Sequence, residues 1–279
     1  MNHKHDENFH PGIGATQELS LRVSVATLVR VLFEHPSNGE LMLALERKAT
    51  LHETENGKVI KVKSQPFGGA IRLLDPKALQ NLIGDFHFDS EESRSEQDFR
   101  IFVRPSDWEA VQGFCINHFR DFDDSVLESN PTRELAEEFA DALQISLKPN
   151  QYALKAVNTV VEDNPAPTEN IHARGHLTVR VYRIFEARIL DSSLSHAMLA
   201  NSNSYSNQDL QELALENVRK GGKGRANALL TLPLRLISDV YLTLPLEARN
   251  SPILFEDNHL DESVGAILEG VTMPKYRRL

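Results

Sequence analysis

The chain has a single cysteine, Cys115, so no intrachain disulfide can staple it, and a reducing cytoplasm is the expected setting. No apolar run approaches the roughly 18 residues that mark a membrane-crossing helix. No basic-then-apolar leader opens the sequence, so neither membrane insertion nor export is expected. Cations are in deficit: 30 Lys and Arg stand against 40 Asp and Glu, a formal net charge of -10. Phosphate backbones are held mainly by Lys and Arg, so this balance argues against a nucleic-acid polymer as partner. It leaves room for a small nucleotide, because a divalent cation makes an acidic pocket attractive to a pyrophosphate. With 41% hydrophobic and 25% charged residues among 279, the chain can bury a sizeable core, and no linker forces a second domain.

Residues 1–18 are polar and carry His3, His5 and His10 among Pro11, Gly12 and Gly14. They read as a flexible tail whose histidines lack the fixed geometry a metal needs. Leu21, Val23, Val25, Thr27, Val29, Val31 and Phe33 alternate as in a strand with one buried face, and Glu40–Arg47 reads as a second strand after the turn at 36–39. Pro76–Ile83 can start a helix, whereas 84–98, with six acids and one arginine, reads as a solvated loop. Trp108, Val111, Phe114, Cys115, His118 and Phe119 recur at helical spacing behind Ser106 as a cap. Such a stripe packs into a core. Stacking of Trp108 or Phe119 on a base, or a nucleophilic Cys115, is the alternative. Gln151–Glu162 and His176–Leu190 read as strands separated by the break at 164–167. The Ser- and Asn-rich stretch 191–208 reads as a loop, and Gln208–Val218 and Pro233–Leu244 as helices. Arg219–Arg225 holds four cations among three glycines without the order of a phosphate-binding loop. It is either simply exposed or a contact for a substrate phosphate. Residues 271–279 form a basic C-terminal tail.

The chemistry is concentrated in Arg133-Glu134-Leu135-Ala136-Glu137-Glu138. Residues three and four apart are neighbours on a helix, so Glu134 lies beside Glu137 and Glu138, and Asp141 continues the row. Like charges at that spacing repel unless a cation sits among them. Upstream, Ser64-Gln65-Pro66-Phe67-Gly68-Gly69-Ala70-Ile71-Arg72 holds a Gly-Gly pair that lets a ligand approach the backbone closely.

Together these two stretches resemble the Nudix hydrolases, whose signature runs Gly, five residues, Glu, seven residues, Arg-Glu-apolar-any-Glu-Glu-any-Gly-apolar. Counting five residues on from Gly69 reaches Asp75, a carboxylate where the family has Glu. Residues 76–132 then separate Asp75 from Arg133, so the box is split by about fifty extra residues. Ala140 and Asp141 stand where the signature closes on Gly and an apolar residue. With Leu21–Val31 and Asp98–Val103 the likeness covers most of 19–143. It is similar in particular to the SMODS-associated Nudix domains found beside cyclic-oligonucleotide synthases in bacterial antiviral loci.

The resemblance implies an α/β fold, a Nudix-like α/β/α sandwich with a mixed sheet. It would form a single domain over 19–270, with a helical insertion at about 76–130 and extra C-terminal helices. It implies a cytoplasmic pyrophosphohydrolase that cleaves a nucleoside diphosphate linked to another group, with Mg2+ or Mn2+ as cofactor. In this reading Glu134 and Glu138 bind the metal, Glu137 adds a ligand or holds a water, and Arg133 orients a carboxylate. Gly68, Gly69, Arg72 and Asp75 meet the substrate. Magnesium suits such a set because it takes oxygen ligands and keeps several waters. The general base is open among Glu162, Glu212 and Glu216. The implied partners are a small nucleotide and, functionally, a cyclic-oligonucleotide synthase, with no membrane; oligomeric state is not encoded legibly. The alternative is an inactive Nudix-fold sensor of a nucleotide or cyclic oligonucleotide.

Overall fold

The structure, a computed structural model, describes residues 19–54, 57–121, 125–168, 171–173, 175–222 and 224–279. The tail expected at 1–18 lies outside them. Strands β1 (Leu21–Glu34), β2 (Leu41–Thr54), β3 (Gly57–Gln65) and β4 (Arg72–Leu73) come first. Then follow α1 (Pro76–Ile83), β5 (His87–Phe88), α2 (Glu91–Glu96), β6 (Arg100–Val103), α3 (Trp108–Asp121), β7 (Leu127–Glu128) and α4 (Thr132–Leu143). The second half holds β8 (Tyr152–Ala166), β9 (Leu177–Ile189), α5 (Ser192–Ser204), α6 (Asn207–Arg219), β10 (Arg225–Pro233) and α7 (Leu234–Thr243). It closes with β11 (Ile253–Phe255), β12 (Asn258–Leu260), α8 (Val264–Ile267) and β13 (Arg277–Arg278). The class is mixed α/β, and the sheet is mixed because β12 joins β3 in parallel while β1–β2, β2–β3, β2–β10 and β11–β12 are antiparallel.

The described residues fall into two compact units. The first comprises those up to Val25 with Ile71–Glu128 and Asn164–Val181. In it β6 pairs with Leu21–Ser24 and with β5, and α3 buries Val111, Phe114, Cys115 and Phe119. Phe114 meets Phe99 edge-on at 6.3 Å. The stripe on α3 is therefore core at these four positions, while Trp108 and His118 are half-buried, and burial pushes the Cys115 thiol upward, away from the reactive thiolate. The stretch expected as an acidic loop instead contains β5 and α2. Ser90 caps α2 by accepting from the Ser93 N–H, and Asp89 is drawn into a buried ion pair with Arg22 at 2.6 Å. At the base of Ile71–Glu128, β4 and β7 pair antiparallel, Arg72 facing Glu128 and Leu73 facing Leu127.

The second unit comprises Ala26–Ala70, Ser129–Asp163 and Tyr182–Leu279. Its sheet is covered on both faces. Alternate residues Met42, Ala44, Val29, Val31, Phe33 and Leu229 face Leu135 and Phe139 of α4 and Leu194 and Met198 of α5. The interleaved Leu43, Leu45, Leu28, Leu32, Leu230 and Leu232 face Ile237 and Tyr241 of α7. Farther along β2 and β10 the same side, through Ala49 and Ala228, meets Leu210 and Ala214 of α6. Two buried faces explain why β1 is buried almost throughout and not on one side only, as its alternation suggests.

One edge of β2 carries β1 at Leu41–Ala44 and then β3 from Glu46 onward. Past Leu45 the sheet therefore forks, and Phe67–Ala70 slots against β1 in place of β2. The other edge of β2 carries β10, a strand hidden in sequence behind the basic glycine stretch, and β3 is likewise absent from the pattern expected there. The stretch 191–208 is not a loop: α5 begins at Asp191, whose carboxylate accepts from the Ser193 and Leu194 N–H groups. Asn201 and Ser202 of α5 then accept from the Leu229 and Thr231 N–H groups on the free edge of β10, which blocks it against stray strand pairing. Nor does 164–167 break β8, which runs to Ala166. At the C-terminus β13 pairs with β8 at Val160 and Val161.

The Asp191 cap is titratable. Its hydrogen bonds from Ser193, Gln151 and Leu194 hold its carboxyl down to about 2 from an ordinary 3.8. A depressed folded value contributes stability that is complete above the unfolded value and is lost as pH falls through the folded one. Asp191→Ala is therefore expected to lower Tm at pH 7, with the deficit shrinking below pH 4. Melting curves of both proteins from pH 7 to pH 3 check this, and a deficit constant across that range would remove Asp191 as its cause.

Candidate functional site

Helix α4 begins where Asn130 Oδ1 accepts from the Thr132 N–H (3.0 Å) and hydroxyl (2.6 Å). Leu135, Phe139 and Ala142, at i, i+4 and i+7, bury its apolar stripe, and Gln144 ends it in the left-handed conformation, φ 57°. The helix runs through Ala140 and Asp141, where the Nudix signature expects its closing glycine. Opposite the apolar stripe, Arg133 holds Glu134 at 2.7 Å and Glu137 at 3.2 Å. Glu137 is 60% exposed, so its charge is mostly solvated.

The turn at Gly68-Gly69 meets this helix. Val29 N–H donates to the Phe67 carbonyl and Thr27 N–H to the Gly69 carbonyl, which leaves the intervening Gly68 N–H directed away from β1. It donates to Glu138 Oε2 at 2.6 Å, across 70 positions of sequence. Gly68 has φ +126°, and a Cβ there would lie 2.2 Å from the Thr27 carbonyl oxygen, so only glycine fits. A Cβ on Gly69 would lie 2.4 Å from Glu134 Oε2. Each glycine is thus matched to one glutamate. The register is fixed one residue along on each side: Phe67 and Phe139, both fully buried, stack at 5.0 Å, each worth about 1.5–3 kcal/mol of burial.

A further carboxylate belongs here that the motif does not contain. Glu46 on β2 is fully buried, and its Oε2 accepts from Lys48 Nζ at 3.0 Å and Gln65 Nε2 at 3.1 Å. Its Oε1 is buried with no hydrogen-bond partner. Burial pushes the Glu138 carboxyl well above the ordinary carboxylate range, and the charge of Glu46 pushes it further. The Gly68 N–H and Lys48 oppose this, and Glu134 adds to it. The sequence held one signal for Glu46: an acid set in the apolar run Leu41–Leu45, where a strand buried on both faces has no solvent to offer it.

The other expected site residues have partners of their own. Arg72 and Asp75 belong to the first unit. There the Asp75 carboxylate caps α1 by accepting from Lys77 and Ala78 N–H at 3.0 and 3.3 Å, and Arg72 pairs with Glu128 at 3.6 Å. Among the candidate bases, Glu162 is buried beside Lys275 at 3.8 Å. Glu216 is held by Lys220 at 2.7 Å, and Glu212 accepts from Gln208.

Among the described residues no three His, Cys, Asp or Glu side chains assemble as a ready metal cage. Magnesium does not require one, because it is commonly held by one or two carboxylates with waters and substrate phosphates. The orphan Glu46 Oε1 and the charge-crowded Glu138 are hard oxygen donors whose demand a cation meets, so the residues present fit Mg2+. Among the described residues no helix is long and apolar enough to cross a membrane. Comparison of the chain with protein-family models, with curated proteins and with solved structures finds no match.

Proposed function

We propose that this chain is a Mg2+-dependent hydrolase of a nucleoside diphosphate linked to another group, working on a Nudix-like α/β/α scaffold. The observation that carries the reading is the Gly68 N–H bonded to Glu138 at 2.6 Å, which joins the two halves of a divided Nudix-type box on one side of α4. Glu138 and Glu46 would hold the metal, with Glu134 beside Gly69. When bound, Mg2+ supplies neutralisation of pyrophosphate charge. Arg133 fixes one oxygen of Glu134 and leaves the other against Gly69, so the carboxylate is oriented before substrate arrives. Lys48 and Gln65 hold Glu46 in the same way. Water attacks one phosphorus, the bond to the bridging oxygen breaks, and the products are a nucleoside monophosphate and a phosphorylated remainder. The same resemblance supports a functional association with a cyclic-oligonucleotide synthase.

A second reading, a nucleotide sensor without turnover, is favoured by Asp75, Ala140 and the long interruption, the departures from the signature that a repurposed box accumulates. The two are separated by incubating wild type and Glu138→Gln with nucleoside diphosphate derivatives and cyclic oligonucleotides, in Mg2+ or EDTA. Hydrolysis predicts metal-dependent turnover that falls at least about a hundredfold in the variant. Tight binding with no turnover by either protein would transfer the assignment to the sensor.

A further inference from the structure

A cleft of about 500 Å3 opens at the free edge of β10, beside the C-terminal end of α4 and the helix α6. Its size is that of sites for nucleotide-sized ligands. Lys48 and Arg225 bring two positive charges to it against the one acid Asp141, while Tyr205 and Leu213 provide apolar wall. The Lys48 ammonium is shared with the buried Glu46 carboxylate, so the exposed Arg225 is the cation that an anion in the cleft meets first. Asn227 lines it too, and its Oδ1 is buried without a hydrogen-bond partner. An unsatisfied buried acceptor is costly, and a ligand that presents an N–H donor satisfies it.

Strand register ties this cleft to the carboxylates. Asn227 faces Lys48 across the β2–β10 ladder, and Leu229 faces Glu46. Alternate residues share a face, so Arg225, Asn227, Lys48 and Glu46 lie on one side of the sheet. Two residues along a strand is about 7 Å, and Lys48 spans the step by donating to Glu46 at 3.0 Å. Phosphate near Lys48 and Arg225 and a donor-bearing base near Asn227 is the arrangement of a nucleoside monophosphate.

We propose that this cleft binds the nucleoside monophosphate portion of the ligand, Arg225 and Lys48 pairing with phosphate and Asn227 accepting from the base. The placement beside the cleaved bond rests on the hydrolase reading, whereas the binding does not. The test is calorimetric titration of the full chain with AMP, CMP, GMP and UMP, and with ribose 5-phosphate as a baseless control. At least one nucleotide is expected to bind more tightly than the control. Arg225→Ala should weaken nucleotide and control alike by about tenfold or more, Arg225→Lys should recover part of that loss, and Asn227→Ala should weaken the nucleotide alone. Unchanged melting temperatures confirm that the variants fold. Nucleotides that bind no better than ribose 5-phosphate, or variants that bind them as wild type does, would overturn the assignment. These probes contain no pyrophosphate bond, so failure here leaves hydrolysis standing, and absence of turnover leaves this site standing.

Discussion

Gly68→Ala is expected to cripple folding, whereas Gly69→Ala, one residue on, should fold normally and lose activity. At Gly68 the added methyl meets backbone: the Thr27 carbonyl oxygen at 2.2 Å and its carbon at 2.9 Å, with φ at +126°. Neither can give way without breaking the β1 pairing on which Phe67 and Gly69 depend. A sparsely populated backbone conformation costs about 1–3 kcal/mol, and forced overpacking about as much again, so a loss on the order of 4 kcal/mol is expected. At roughly 2–4 °C per kcal/mol for a chain of this size, Tm should fall by about 10 °C. At Gly69 the obstacle is the free end of Glu134, at 2.4 Å, and a side chain can swing aside. Its pair with Arg133 is partly exposed on both sides and is worth at most about 1 kcal/mol, so Tm should hardly move. Turnover should fall about a hundredfold, the usual consequence of displacing a reacting group by about 1 Å. Melting curves and initial rates of both variants check this pair of outcomes. A Gly69→Ala protein as active as wild type would remove Glu134 from the site.

Glu46→Gln should do the opposite to stability: raise Tm while lowering turnover. Two effects compete. The change removes a fully buried carboxylate that repels Glu138 and has one oxygen without a partner, and burying such a charge costs several kcal/mol. It also weakens the attraction of Lys48, which is 25% exposed and for which about 1 kcal/mol is a fair limit. The first should win, because the amide keeps an acceptor for Lys48 and Gln65. A net gain of about 1 kcal/mol corresponds to roughly 2–4 °C. If Glu46 holds the cation, turnover at limiting Mg2+ should drop by about tenfold or more, with partial recovery at saturating Mg2+. Thermal melts and a Mg2+ titration of the rate decide this. Reduced stability with unchanged rates would make Glu46 an ordinary structural ion pair.

What was legible in the sequence was what is written locally. The period of Leu135, Phe139 and Ala142 and the row of acids opposite it define α4 without reference to anything distant, and the two glycines announce a close approach of backbone. The glutamate on β2 was illegible because its meaning comes from neighbours distant in sequence: Gln65 on β3 and Glu138 on the helix α4. The strand β3 itself was obscured by its lysines at 58, 61 and 63, and β10 by the glycines before it. In α5, serine and asparagine have weak helix propensity, and burial of Leu194 and Met198 overrides it. The expected break in β8 fails because proline is tolerated on a strand where no ladder hydrogen bond is required of it.

The β4–β7 stem alters how the long stretch between Asp75 and Arg133 behaves as a polymer. Closing a slack loop costs about 0.6 kcal/mol for each doubling of its length, so stretching a seven-residue connection about eightfold would cost roughly 2 kcal/mol. The interruption is not slack. Arg72 and Leu73 are zipped to Glu128 and Leu127, and the Leu74 N–H donates to the Val126 carbonyl at 2.8 Å. Outside the stem only two residues lie between Gly69 and Arg72 and four between Glu128 and Arg133. An excursion tied at its neck can lengthen, shorten or change its sequence over generations while the glycines and glutamates keep the same tether.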